Sequence, residues 1–226
     1  MAYDWVLFDA DDTLLDFRKA ARRSFFAVLA QNGIPASDAH HHTFEQANYE
    51  VWTAFERGEI TTERLRVKRF ELFLDRAGLE RDAGAMSRLF LDNLVVYTEL
   101  IPGAREVLST LALSHRLGII TNGLKEMQRP RLTKTGIIDD FEVIVVSDEI
   151  GYAKPDGRFF DVAHRRMGMP ARERVLVVGD SLRSDIQGGK AYGFATCWYN
   201  PHGKANETAI RPDYEIAGLE AVYDLL

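Results

Sequence analysis

Asp9-Ala10-Asp11-Asp12-Thr13 follows directly on Trp5-Val6-Leu7-Phe8, a short apolar run that stops abruptly. A buried parallel strand opening into a polar loop reads this way, and it sets the carboxylates at the strand's C-terminal edge. Gly179-Asp180-Ser181-Leu182-Arg183-Ser184-Asp185 repeats the arrangement after a second apolar run, Val175 to Val178. Alone, either loop could be no more than aspartates capping helices. On neighbouring strand ends they would gather Asp9, Asp11, Asp180 and Asp185 in one crevice. Like charges that close repel unless a cation lies among them, and hard oxygen donors of this kind suit Mg2+.

Two further strand ends carry what an anionic substrate needs. Thr121-Asn122-Gly123 brings a hydroxyl, a side-chain amide and a backbone turn able to present N–H groups. Lys154, beside Pro155, supplies a fixed positive charge after a third run. Ala-Lys-Pro by itself is usually a solvated turn; its weight here comes from its place in the order of strand ends. The crevice at the carboxyl ends of parallel strands is where such sheets bind ligands.

The positioning elements follow from hydrophobic pattern. Strands are expected at Trp5 to Phe8, Leu117 to Thr121, Val143 to Ser147, Val175 to Gly179 and Thr196 to Tyr199. Stretches of helical length separate the later ones: Ala104 to Leu113, Met127 to Thr135, Arg158 to Met167 and Ser184 to Tyr192. This alternation predicts an α/β fold, a doubly wound parallel, Rossmann-like sheet built from residues 1–15 and 100–226. Pro130 predicts that its helix starts or kinks there. Residues 16–99 lack strand pattern and read as consecutive amphipathic helices, an inserted α-helical cap, with Phe25, Phe26, Leu29 and Phe70, Phe73, Leu74 at helical spacing. Asn32-Gly33, Arg57-Gly58 and Ala77-Gly78 mark helix ends.

Composition narrows the function classes. The 226 residues are 46% hydrophobic and 27% charged, ordinary for a globular chain. Apolar runs far shorter than the about 20 residues of a membrane span predict no membrane partner. The amino terminus has no basic n-region, so no secretory signal is expected. A single cysteine, Cys197 in an apolar run, fits a small buried hydrophobe and a reducing cytoplasm. With a formal net charge of −6 and no long basic run, a nucleic-acid polymer is not an expected partner, although a local site for a small anion is compatible with that charge.

Taken in order, Asp9 to Thr13, Thr121, Lys154 and Gly179 through Asp185 resemble the four motifs of the haloacid dehalogenase superfamily, in its phosphatase branch with an inserted helical cap. The resemblance covers essentially the whole chain. Trp5 to Thr13, Gly118 to Gly123, Gly151 to Pro155, Val177 to Ile186 and Ala195 to Asn200 further resemble the bacterial pyrimidine 5′-nucleotidases. The resemblance implies a cytoplasmic, Mg2+-dependent phosphomonoesterase, a monomer or small homo-oligomer, whose partner is a small phosphorylated metabolite such as a nucleoside monophosphate. In it Asp9 is the nucleophile that becomes an aspartyl phosphate, and Asp11 is the acid/base partner. Thr121, Asn122, Gly123 and Lys154 would stabilise the transferring phosphoryl group. Asp9, the backbone carbonyl of Asp11 and Asp180 would hold the metal, with Asp185 at or beside it.

In this class a cap loop chooses what is attached to the phosphate. Glu56 to Thr62 has the glycine and polar character for it, which nominates Ile60, Thr61 and Arg64, with Trp52, Phe55 and Arg69 as possible flanks of a base or sugar. Aromatic residues at helical spacing are more often core. His40-His41-His42 do not share a helix face and are expected at an exposed loop or helix start rather than at a metal. Other readings are a phosphatase for a sugar phosphate, a mutase, a phospho-acceptor module and an inactive binding relative. Such modules are about half this length, and the intact acidic residues and lysine argue against inactivity. Dehalogenation has no use for Asp11 as proton donor or for Mg2+.

Overall fold

The computed structural model describes residues 3–226. The chain forms two compact units, one running to Asp16 and resuming at Glu99, the other Phe17–Thr98. In the first, strands β1 (Trp5–Phe8), β2 (Arg116–Thr121), β3 (Val143–Val146), β4 (Val175–Gly179), β5 (Ala195–Tyr199) and β6 (Tyr214–Ile216) make one sheet in the order β3-β2-β1-β4-β5-β6. Every neighbouring pair is parallel. β1 lies centrally, with Phe8 opposite Ile119 of β2 and Val178 of β4, so the loops that follow these three strands leave the sheet at one edge.

Side chains alternate across a strand, and both faces of this sheet are covered. Val6 and Phe8 point to one side, packing with Val107, Leu108 and Leu111 of α5 (Ala104–Leu111) and with Leu219 and Val222. Trp5 and Leu7 point to the other, among Phe159, Phe160 and Ala163, which lie on the helix Gly157–Arg166. Burial on both faces is why these strands are continuously apolar rather than alternating. Gly118 makes room within this packing, since a Cβ there would stand 2.7 Å from Leu7 Cδ2.

Three details depart from the sequence pattern. β6 was not expected: Tyr214 and Glu215 are exposed, and a short edge strand needs only Ile216 inward. Of the two outcomes expected at Pro130, a helix start or a kink, the start is overturned: the helix after β2, α6 (Lys125–Lys134), begins five residues earlier, and Pro130 sits inside it and forgoes one bond to the carbonyl of Glu126. The helix expected from Ser184 begins instead as a π turn, Leu182–Gln187, and continues as a short α-helix, Gly188–Tyr192.

The second unit is four helices: α1 (Phe17–Gln31), α2 (Asp38–Glu56), α3 (Thr62–Ala77) and α4 (Ala83–Tyr97). α1 packs on α4 and α2 on α3. Phe25, Phe44, Phe70, Phe73 and Phe90 join them, with Phe25 stacked on Phe44 at 4.5 Å and Phe44 edge-on to Phe90 at 5.2 Å between centroids. Side-chain caps from Ser37, Thr61 and Asp82 start three of the helices. His40, His41 and His42 fall in the opening turns of α2, with His41 stacked on Phe26 at 5.6 Å between ring centroids.

Phe160 is fully buried beneath the sheet, and Phe160→Ala removes a ring the packing cannot replace. The substitution should destabilise the protein by about 3–5 kcal/mol, read as a lower midpoint in urea unfolding followed by circular dichroism.

Candidate active site

Four strand ends of the first unit converge. Asp9 leaves β1 with its N–H donated to the carbonyl of Val178 on β4 at 2.9 Å, so the loop stays tied to the sheet until its first carboxylate. The chain then turns through Asp12 in the left-handed region (φ 57°), which aspartate tolerates better than most residues. Thr13, fully buried, fastens this loop to the one after β4: its Oγ1 donates to Asp9 Oδ2 at 3.4 Å and accepts from the Asp180 N–H at 3.1 Å. Trp198 of β5 holds the same loop by donating to the Asp180 carbonyl at 2.9 Å.

Lys154 occupies the centre. Its side chain is 1% exposed, and Nζ donates to Asp9 Oδ1 at 2.6 Å, to Asp185 Oδ1 at 2.6 Å and to the carbonyl of Ile120 at 2.7 Å. All three ammonium donors are thereby used. Asp185 is fixed from its other oxygen as well, accepting from the Ser181 N–H at 3.0 Å. Gly179 allows this approach: a Cβ there would lie 2.3 Å from Asp185 Oδ2. Asn122 does not turn its amide toward open space. It donates to the Lys154 carbonyl at 2.8 Å and accepts from the Lys154 N–H at 2.7 Å, clasping the backbone that carries the lysine. The turn at Gly123 passes against Gln128, whose side chain would meet a Cβ at 2.2 Å.

Burial decides the electrostatics. It raises the Asp9 carboxyl well above the usual range, Lys154 opposes, and Asp185, Asp180 and Asp11 add to the rise. Asp180 is likewise pushed up to about 7, by burial first and then by Asp185 and Asp12. For Lys154 burial works against the charge, yet the Asp185 and Asp9 carboxylates hold its pKa above the ordinary lysine value. Oxygens of Asp9, Asp180 and Asp185 lie within 4.8 Å of one another. Set against one ammonium, three ionised carboxylates would leave two negative charges in a poorly solvated pocket, and the span is close to the about 4 Å across an octahedral Mg2+ shell. The donor set therefore fits a divalent oxygen-liganding cation. Asp11 could offer such an ion its backbone carbonyl, because its carboxylate is engaged elsewhere.

That engagement involves two residues the sequence reading missed. Arg131 Nη1 donates to Asp11 Oδ1 at 2.5 Å, and Gln128 Nε2 donates to Asp11 Oδ2 at 3.0 Å and to Thr121 Oγ1 at 2.5 Å. Both lie on α6, three residues apart, a spacing that puts them on one helix face directly after the Thr121 strand end. This i, i+3 pair was the available signal, and Pro130 between them obscured it.

The structure thus brings together Asp9, Asp11, Thr121, Asn122, Gly123, Lys154, Asp180 and Asp185. Ile60, Thr61 and Arg64 belong to the helical unit. There Ile60 is half-buried, Thr61 caps α3 by accepting from the Arg64 N–H, and the exposed Arg64 forms a two-pronged pair with Glu71 at 2.7 Å. The side chain of Glu56 lies outside the described residues. Trp52 packs edge-on to Phe55 at 5.7 Å between centroids. Arg69 is not a surface flank: it is 2% exposed, stacks over Phe90, and reaches Asn48 Oδ1 at 3.3 Å, while among the described residues its Nε and Nη2 meet no hydrogen-bond acceptor. Cys197 is buried, and burial pushes its thiol up to about 12, away from nucleophile chemistry.

Comparison with known proteins follows the same lines. A family model for haloacid dehalogenase-like hydrolases matches residues 3–193. The chain is 34% identical to the pyrimidine 5′-nucleotidase YjjG of Escherichia coli (strain K12), covering 100% of this chain and 99% of that one. It is 30% identical to the pyrimidine 5′-nucleotidase PynA of Streptococcus pneumoniae (strain ATCC BAA-255 / R6), covering 100% and 96% respectively. The crystal structure of the HAD-hydrolase YfnB from Bacillus subtilis, bound to magnesium, matches with a TM-score of 0.94 at 34% identity, over 100% of this chain and 99% of that one.

A carboxyl whose folded pKa is raised favours the folded state below its unfolded value and loses that advantage as pH climbs through the folded value. For Asp180 the window runs from 3.8 to about 7. Metal-free protein should therefore melt at a lower temperature at pH 8 than at pH 5.5. Millimolar Mg2+ should raise the melting temperature more at pH 8, where it competes with fewer protons. Differential scanning fluorimetry at both pH values, with and without the ion, reads this; equal Mg2+ effects at the two pH values would contradict it.

Proposed function

The chain belongs to the haloacid dehalogenase-like hydrolase family, and we propose that it is a Mg2+-dependent phosphomonoesterase that hydrolyses nucleoside 5′-monophosphates through an aspartyl phosphate. The observation that carries the chemistry is the buried Asp9 carboxylate held by Lys154 at 2.6 Å beside Asp180 and Asp185. A poorly solvated carboxylate with one oxygen gripped by a fixed cation suits in-line attack on phosphorus. The full-length likeness to two proteins named pyrimidine 5′-nucleotidases supports the substrate class.

In the first half-reaction, the Asp9 Oδ2–phosphorus bond forms as the bond from phosphorus to the leaving oxygen breaks. The proton that oxygen needs comes from Asp11. In the second, a water oxygen attacks phosphorus, the Asp9–phosphorus bond breaks, and Asp11 accepts the water's proton, which returns the enzyme to its starting state. Splitting one displacement into two, with a proton carrier serving both, is worth about 10²–10⁴ in rate for the acid/base part alone. Lys154 and the Thr121 hydroxyl face the charge on the transferring group, while the Asn122 clasp sets where Lys154 stands. A divalent cation held by Asp9, Asp180 and the Asp11 carbonyl, with Asp185 beside them, would supply charge neutralisation between nucleophile and phosphate. The helical unit would choose the leaving group, with Ile60 and Thr61 of the α2–α3 connection and Arg64 in the first turn of α3 as contacts.

Phosphate release from a panel of nucleoside monophosphates and sugar phosphates tests chemistry and substrate together. Wild-type protein should act on pyrimidine nucleotides faster than on sugar phosphates, lose activity on chelation and regain it with Mg2+. Asp9→Asn should lower kcat by at least about 10³-fold. Phosphate release retained in Asp9→Asn would end the covalent reading, and a preference for sugar phosphates would end the nucleotidase one.

A further inference from the structure

The Asp11 carboxylate is oriented by a network that reaches the phosphate side of the site. Arg131 donates to Oδ1 at 2.5 Å and Gln128 to Oδ2 at 3.0 Å. The same Gln128 amide nitrogen reaches Thr121 Oγ1 at 2.5 Å, and its Oε1 accepts from Arg131 Nη1 at 2.8 Å. Gln128 and Arg131 are both 0% exposed, whereas the Asp11 side chain keeps 25% of its surface. Two rigidly packed donors therefore hold a group that still faces solvent.

Unrestrained, a carboxylate turns broadly about its terminal torsion. One donor on each oxygen fixes its plane, and each oxygen keeps a second lone pair for a proton. Because Gln128 also touches the Thr121 hydroxyl, that plane is set relative to the group meant to face the transferring phosphoryl. Misplacing a reacting group by about 1 Å can cost about 10² in rate. We propose that Gln128 and Arg131 are positioning residues that align Asp11 for proton transfer in both half-reactions. The inference rests on the reading of Asp11 as acid/base given above.

p-Nitrophenyl phosphate separates the halves, since its leaving group departs as the anion and needs no proton. Forming the Asp9–phosphorus bond then makes no demand on Asp11, but hydrolysis of that bond still sends a water proton to it. In stopped-flow measurements Gln128→Met and Arg131→Met should release close to one equivalent of nitrophenolate per enzyme in a fast phase. Steady-state turnover should then be at least about ten-fold below wild type, within the range acid/base catalysis supplies. On nucleoside monophosphates, whose departing oxygen needs the proton, kcat should fall without a burst. Melting temperatures are recorded for each variant, and Gln128→Met, which removes no charge, carries the test where Arg131→Met folds poorly.

Asp11→Asn run alongside should give the same burst followed by slow turnover. Burst and steady rate falling in proportion in Gln128→Met would mean fewer folded sites and overturn the proposal. So would wild-type turnover in that variant while Asp11→Asn shows the burst, and this result would leave the acid/base reading standing. Wild-type turnover in Asp11→Asn would remove both.

Discussion

Lys154 is a fully buried cation between two buried carboxylates, and most of the site's architecture serves to make that tolerable. Burying ions costs several kcal/mol each unless geometry and hydrogen bonding offset it. Here Nζ has three acceptors, Asp185 is braced by a backbone N–H, and Asp9 is braced by Thr13. With its carboxyls ionised the cluster would carry an excess of negative charge, which burial makes expensive and a divalent ion would relieve. Stability is thus traded for a carboxylate that water does not shield.

The sheet explains why these groups meet. Parallel strands all finish at one edge, so motifs separated by about a hundred residues in the chain become neighbours if their strands are neighbours. β2, β1 and β4 are adjacent, and their ends supply Thr121, Asp9 and Asp180. Close approach then depends on what is missing: without a Cβ at Gly179 the Asp185 carboxylate can sit against the strand end.

The central strands were readable because burial on both faces makes them uniformly apolar, and the polar residues at their ends stand out for the same reason. β6 escaped because an edge strand with a single inward side chain leaves no such pattern. Within the site, residues that sit at strand ends were identifiable from position. Gln128 and Arg131 were not, since their contact with Asp11 spans 117 and 120 residues and is set by how α6 packs, which their i, i+3 spacing alone does not record. Asn122 was visible as a residue but not in what it holds, because a side-chain amide can serve a backbone as readily as a ligand. Arg69, a possible flank of a base or sugar from the sequence, is enclosed, the aromatic cluster having drawn in the guanidinium with its stem.

The paired bonds between the Asn122 side chain and the Lys154 backbone have a mechanical meaning. Lys154 arrives on chain that follows β3, the border strand of the sheet, which has a partner on one side only and is the sort of element that frays first. Asn122 stands on the neighbouring, interior strand's end. By moving the lysine's point of attachment inward, the clasp ties the charge at the centre to an interior strand rather than to the rim alone.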